Sequence, residues 1–183
     1  MKHFLLLLLL LAAGCGRNQP PLEVFGEVPD FTLTSHRNSP FDAARELRGR
    51  IWVANFIFTN CAGPCPRMTS QMRQVQDATA DLPELRMVSF TVDPARDTPE
   101  VLAAYGKRHR AGERWSFLTG TLDQLHHLKR NVFLLGNVDG ELNHSTRFAL
   151  VDRQSRIRAF YDTSLPSSIR QAIADIRRLE KEK

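Results

Sequence analysis

Ile51 to Phe58, IWVANFIF, is a β-branched and aromatic run interrupted by a single polar residue, Asn55. Its length and composition predict a buried strand. It runs directly into Thr59-Asn60-Cys61-Ala62-Gly63-Pro64-Cys65-Pro66, after which the pattern turns helical from Pro66 to Ala80. Any fold for this chain must therefore set two cysteines in a constrained loop between the end of a strand and the start of a helix. The same alternation recurs downstream. Arg86–Val92, Trp115–Leu118, Arg147–Val151 and Ile157–Tyr161 read as further strands. Between them, Pro99–Arg108 has Thr98 as N-cap and Pro99 in its first turn, and Thr121 caps a helix reaching Asn131. A last helix over Ser168–Leu179 puts Ile169, Ala172, Ile173 and Ile176 on one face, an ordinary packing face. Strands alternating with helices predict an α/β sheet with its site at the carboxyl ends of strands.

The chain has 183 residues, 42% hydrophobic and 25% charged, with a mean hydropathy of −0.31. Those figures exclude a disordered chain or a multi-spanning membrane protein and suit one soluble domain. The apolar residues are unevenly placed. Behind Met1-Lys2-His3, ten apolar residues run from Phe4 to Ala13, about half the roughly 20 that a spanning helix needs but the length of a signal-peptide core. Leu11-Ala12-Ala13-Gly14-Cys15 resembles a bacterial lipobox, with Ala12 where Leu is the commoner residue. The expected organisation is a lipoprotein signal over 1–14, a Pro-rich tether over 15–27 that is lipid-anchored through Cys15, and a single domain over 28–183. Such a chain is exported and held at a membrane of the bacterial cell envelope, facing the periplasm or the outside. With Cys15 assigned to lipid, the odd count of three cysteines resolves into an anchor and one dithiol.

Cysteines at a helix N-terminus meet the positive end of the macrodipole and exposed amide N–H groups, which favour the thiolate. Both redox exchange and metal binding use that thiolate. The spacing C-x-x-x-C discriminates only partly between them. On a regular helix, residues four apart have β-carbons about 5–6 Å apart, whereas a disulfide needs about 3.5–4.5 Å, so closing one requires local unwinding. Two thiolates around one soft ion, Cu(I) or Zn(II), tolerate the wider spacing but need at least one more ligand. Six histidines compete for that role. His3 lies in the signal, His36 in an early loop and His109 at a helix end between Arg108 and Arg110, while His126 and His127 fall mid-helix. His144 sits in the loop Leu142-Asn143-His144-Ser145-Thr146, which enters a strand and so can reach another strand's end. Met68 and Met72, four apart, read as core filling rather than a copper relay. Asp93 and Asp97 offer groups that could orient a ligand or a partner, but Asp97 and Thr98 read first as helix caps and Asp93, before Pro94, as a turn former.

Four segments together resemble the Sco (SenC-like) proteins, thioredoxin-fold copper chaperones that help assemble the CuA centre of cytochrome c oxidase. They are FTLTSHRNSPFD, FIFTNCAGPCPRMT, TVDPARDTPEVLAAYGKRH and LNHSTRFALVD, in the family's order. The resemblance implies a thioredoxin-like fold, a central mixed sheet flanked by helices, and copper held by Cys61, Cys65 and His144. Two sulfurs and one imidazole suit three-coordinate Cu(I), and Cu(II) would add an oxygen ligand. One departure from the family pattern is the Ala-Gly-Pro between the cysteines, where many relatives carry an acidic residue. Its absence makes the site less negative.

Three functions follow as expectations. The first is a tethered copper metallochaperone whose recipient is the CuA subunit of cytochrome c oxidase or another cuproprotein. The second is a thiol-disulfide oxidoreductase that reduces target cysteines before metallation, with Cys61 and Cys65 as its redox dithiol. The third is a copper-sensing or redox-signalling protein. The net charge of +5 does not imply nucleic-acid binding, because basic and acidic residues are interspersed and no basic stripe interleaves with aromatics.

Overall fold

A computed structural model describes residues 20–136 and 145–182. Cys15 and His144 lie outside the described residues. Five strands expected from the sequence form the middle of a sheet: β4 (Trp52–Ile57), β5 (Arg86–Thr91), β6 (Trp115–Thr119), β7 (Arg147–Val151) and β8 (Arg156–Asp162). Three shorter strands complete it, β1 (Gly26–Glu27), β2 (Thr32–Ser35) and β3 (Pro40–Asp42). Among the described residues the sheet order is β1-β8-β7-β4-β5-β6-β2-β3. Strand β4 runs parallel to β5, with Trp52 opposite Arg86 and Ile57 opposite Thr91, and β5 runs parallel to β6. The remaining pairings are antiparallel. The sheet is mixed, as expected.

All six residues of β4 are buried because both faces of the sheet are covered. On one face Val53 and Ile57 pack with Met68, Met72 and Val75 of α2 (Cys65–Ala78), with Leu102 and Tyr105 of α3 (Pro99–Arg108), and with Ile169, Ala172 and Ile176 of α5 (Ser168–Lys181). On the other, Trp52, Ala54 and Phe56 pack with Phe41, with Ala43 of α1 (Ala43–Glu46), with Leu125 of α4 (Leu122–His127), and with Leu128 and Phe133. The predicted caps are present. Thr98 accepts from the Val101 amide, and Thr121 forms a capping box with Gln124.

Three features differ from the sequence expectation. The helix after Thr121 is α-helical only to His127 and continues as a π-turn over Leu128–Val132, with the Phe133 amide bonded to the Leu128 carbonyl at 2.8 Å. The wider turn lets Leu125, Leu128 and Phe133 all reach the core. The β2–β3 hairpin is not marked in the sequence, because both strands are short and each offers a single apolar residue, Leu33 or Phe41, as signal. The packed body also begins before Val28. Gly26 pairs with Ile157, the Phe25 ring meets Phe160 edge-on, and Arg158 takes the carbonyls of Leu22 and Glu23. Pro-rich composition marked this stretch as tether, yet backbone pairing needs no apolar pattern.

Arg158 and Asp152 are both 5% exposed at the side chain and joined at 2.8 Å. Arg156 donates to the same carboxylate through its backbone amide and its guanidinium. Burial alone pushes the Asp152 carboxyl upward, but these hydrogen bonds outweigh it and hold the group below its ordinary range. Arg158→Met leaves a buried carboxylate short of one partner and should cost roughly 3 kcal/mol in urea unfolding. A depressed folded value gives stabilisation that is present above the unfolded value, about pH 4, and lost as pH falls through the folded one. The acid limb of the stability curve should accordingly flatten in Asp152→Asn.

Candidate metal centre

Strand β4 delivers the site. Beyond Ile57 the chain leaves the sheet, and Thr59 is caught at once by Asp97. The Thr59 amide donates to Asp97 Oδ2 at 3.1 Å, its hydroxyl donates to Oδ1 at 2.6 Å, and the Thr91 hydroxyl donates to Oδ2 at 2.6 Å. Asp97 is 1% exposed. Its carboxylate therefore pins the first residue of the cysteine loop to the end of β5. From the sequence, Asp97 is a candidate helix cap or a group that orients a ligand or partner. The cap of α3 is Thr98, and Asp97 serves the loop instead. Spacing along the chain carries no sign of a contact with a residue 38 positions away.

The loop then turns over Cys61. The Gly63 amide points at Cys61 Sγ at 3.4 Å. The helix opens at Cys65, one residue earlier than expected, with Pro64 at the cap position and the Met68 amide bonded to the Pro64 carbonyl at 2.9 Å. Cys61 therefore stands off the helix, which removes the regular-helix spacing assumed for the pair. Both are free thiols and belong to the same buried apolar cluster. Cys61 is 9% exposed and Cys65 fully buried. Burial, ahead of any other influence, pushes the Cys65 thiol up to about 12. The Phe58 backbone amide works against that shift, while Cys61 and Asp97 add to it. At Cys65 the exclusion of water thus works against the acidity expected of a thiol at a helix end.

A second layer supports the first helical turn. The Thr69 hydroxyl donates to the Cys65 carbonyl at 2.8 Å, so its contact with the Tyr105 hydroxyl at 2.7 Å has the tyrosine donating. Burial pushes the Tyr105 phenol up to about 12. Further along α2, Gln71 donates to the Thr163 carbonyl at 2.9 Å, and the Thr163 amide and hydroxyl both reach the Thr146 carbonyl. These contacts tie the cysteine helix to the residues entering β7. None was visible in the sequence, where Thr69, Gln71, Tyr105 and Thr163 carry no pattern.

The remaining sequence candidates sort as follows. His36 pairs with Phe117, accepting its amide at Nδ1, and burial followed by Arg37 holds its imidazole below the usual value. His109 caps α3 and lies on the Tyr105 ring, with centroids 4.4 Å apart, and burial together with Arg108 lowers it. His126 and His127 close α4. Met68 and Met72 are fully buried core residues. Among the described residues no group of three His, Cys, Asp or Glu side chains could hold a metal ion, so Cys61 and Cys65 are the part of the predicted ligand set that the structure brings together.

The SCO1/SenC family profile matches residues 21–181. A SCO1 protein homolog of Bacillus subtilis is 34% identical over 116 residues, covering 62% of this chain and 60% of that protein. A protein of Stutzerimonas stutzeri named for copper binding is 33% identical over 139 residues, covering 72% of this chain and 67% of its own length. Among solved structures, a SCO1/SenC family lipoprotein from Bacillus anthracis is 30% identical with a TM-score of 0.76, covering 85% of this chain and 96% of that one. BsSco, described as a member of the Sco family of cytochrome c oxidase assembly proteins with a disulfide switch, is 26% identical with a TM-score of 0.76, covering 88% and 98%. The fold is thioredoxin-like, as these structures share it.

The Asp97 contacts generate a test of the site's architecture. Asp97→Ala leaves the Thr91 hydroxyl and both Thr59 donors without their acceptor, and should cost roughly 3 kcal/mol in urea unfolding. Asp97→Asn keeps one carbonyl acceptor and should cost less. Hydrogen exchange at the Thr59 amide should accelerate in both variants.

Proposed function

The chain belongs to the SCO1/SenC family, and on that premise we propose that it is a membrane-tethered metallochaperone that carries copper on Cys61, Cys65 and His144. Its recipient in this reading is a cuproenzyme, the CuA site of cytochrome c oxidase. The observation that carries the proposal is the pair of free, buried thiols beyond the carboxyl end of β4, the first of them on a loop fixed by Asp97. Two soft donors held close together, with water largely excluded, match Cu(I) better than a hard cation. The relative named for copper binding supports the same metal.

His144 is proposed as the third ligand on chain topology. It directly precedes Ser145, and β7 starts at Arg147 on the end of the sheet where β4 stops, because β7 is antiparallel to β4. The Gln71–Thr163–Thr146 contacts hold that end of β7 against the cysteine helix. Three ligands leave Cu(I) an open position for an incoming donor, so the metal can leave by ligand exchange without first being released to water.

The two free thiols, buried in one cluster, also favour a second reading, thiol-disulfide exchange, in line with the disulfide switch described for BsSco. One thiolate attacks a target disulfide, the mixed disulfide is resolved by the other thiol, and the chain ends oxidised with two target thiols formed. The protein would then lose its metal-binding form, so the two activities exclude each other at any instant.

Titration of the reduced protein with Cu(I) against a competing chelator tests the first reading. One Cu(I) per chain is expected, with affinity reduced at least tenfold in each of Cys61→Ser, Cys65→Ser and His144→Ala. Unchanged affinity in His144→Ala would remove the third ligand. The second reading stands on a measurable rate of exchange with a target disulfide, and a rate no faster than that of a small dithiol would end it.

A further inference from the structure

Leu134 stands where local rules would put glycine. The π-turn over Leu128–Val132 ends with the Phe133 amide on the Leu128 carbonyl, and the Leu135 amide then reaches back to the Lys129 carbonyl at 2.9 Å. Between them Leu134 closes the helix in the left-handed region, at φ 52°. A side chain with a Cβ is strained there, and glycine or asparagine is the usual occupant. Among the described residues three other non-glycine residues share a positive φ, and all three, Asn38, Arg110 and Ser155, are polar. The strain at Leu134 does not serve the core. Phe133 and Leu135 on either side are 0% and 5% exposed, whereas Leu134 is 60% exposed, the highest value among the exposed large apolar residues described. A bulky apolar group held in a costly backbone and turned to solvent does little for folding, so its use lies outside the fold.

The surroundings indicate what it meets. Leu134 borders a groove of about 240 Å³ that is also lined by Thr146 and Arg147 at the start of β7 and by Asp162 at the end of β8. Asp162 is the one acid in that lining, and its Oδ1 already accepts from the Ser164 amide and hydroxyl and from the Thr146 hydroxyl. Arg147 is exposed, makes no ion pair among the described residues, and acts on Asp162 only at a distance. Gly136, in the same lining, leaves room for the stem of Arg130, since a Cβ there would come within 2.6 Å of the Arg130 Cγ. Arg130 is likewise exposed and without an ion pair among the described residues. The groove also adjoins the proposed metal centre. Ser145 and Thr146 directly follow His144, and Thr146 is tied through Thr163 and Gln71 to the cysteine helix.

We infer that Leu134, Arg130 and Arg147 form the docking surface for the protein that receives the metal, and that this protein offers an apolar hollow rimmed by carboxylates. The inference rests on the copper-chaperone reading above and adds the surface chemistry of the recipient. A protruding leucine gains most by entering a hollow, and guanidiniums steer and orient an acidic partner. A lipid surface meets cations as readily but presents no hollow shaped for one side chain. A recipient seated here lies beside Ser145, on the His144 side of the proposed shell. Copper crosses as Cu(I) by ligand exchange with no change of oxidation state, and protons shed by the recipient's donors replace it on Cys61 and Cys65.

The full chain in detergent micelles, loaded with one Cu(I), is mixed with the metal-free CuA domain of a cytochrome c oxidase. The rate at which copper reaches that domain is compared with the rate at which an equal concentration of a small chelator draws it. Transfer to the domain is expected to slow with added salt, and to fall about tenfold in Leu134→Gly and in Arg130→Glu combined with Arg147→Glu, the latter also losing the salt dependence. Withdrawal by the chelator and the equilibrium Cu(I) affinity should stay unchanged. The urea midpoint of Leu134→Gly should be equal or higher, because glycine relieves the left-handed strain. Transfer at the original rate in either variant overturns the docking surface. A fall that the chelator shows equally, or a lower urea midpoint in Leu134→Gly, assigns the effect to metal release or to the fold and overturns it too. If the arginine pair instead loses binding to phosphatidylglycerol vesicles and keeps its transfer rate, the patch is a lipid contact and the inference falls. An unmodified chain that passes copper to the domain no faster than to the chelator ends the chaperone reading, and the surface with it.

Discussion

Everything at the candidate site hangs from the carboxylate of Asp97. A carboxylate buried to 1% exposure is tolerable only when its oxygens are engaged, and here they take donors from two consecutive parallel strands, Thr59 beyond β4 and Thr91 at the end of β5. Parallel strands end side by side, so a single acceptor between their tips can set where both chains go next. One tip becomes the cysteine loop. The other, with the Asp93 amide turned onto the Thr91 hydroxyl, becomes the turn leading to Asp97 itself. The loop that carries the sulfurs and the loop that fixes it are thus closed on each other.

That closure explains why both thiols can be buried without being inert. A thiol inside an apolar core keeps its proton, as Cys65 does when burial pushes it up to about 12. Deprotonation there needs a cation to replace the proton, and a soft metal bound by two sulfurs supplies that charge at the same position. Burial then becomes selective. It disfavours a bare thiolate open to indiscriminate oxidation and leaves the metallated pair as the form in which negative charge is balanced. Under the proposed function this is the useful asymmetry, because the same pair must hold a redox-active ion and remain reduced until it is loaded.

The central strands and major helices were legible in the sequence because each carried a period or a cap. IWVANFIF, the Thr98-Pro99 start and the Thr121 capping box are local signals, and the structure places them where local rules put them. What stayed hidden was of two kinds. The short outer strands β1, β2 and β3 are held by backbone hydrogen bonds, which any side chain permits, so little in composition marks them. The contacts that support the site, Asp97 to Thr59, Tyr105 to Thr69 and Gln71 to Thr163, join residues 36 to 92 positions apart. The cysteines are readable as a pair, but the helix end alone carries no sign of burial, a tertiary property that favours the protonated thiol at Cys65.

The ligands proposed for the site come from two stretches of the chain. Cys61 and Cys65 sit on a loop and a helix start held by Asp97, Thr69 and Tyr105, whereas His144 precedes Ser145 and Thr146, and Thr146 is joined to α2 through Thr163 and Gln71. A donor set built this way can lose one ligand without disturbing the other two. For a protein that gives its metal away, that division matters more than the total affinity. Under the proposed function, an incoming ligand would displace the imidazole first and find the sulfurs still in place, so the ion would keep two soft donors during transfer. A site in which all three ligands came from one rigid element would bind at least as tightly and release far more slowly.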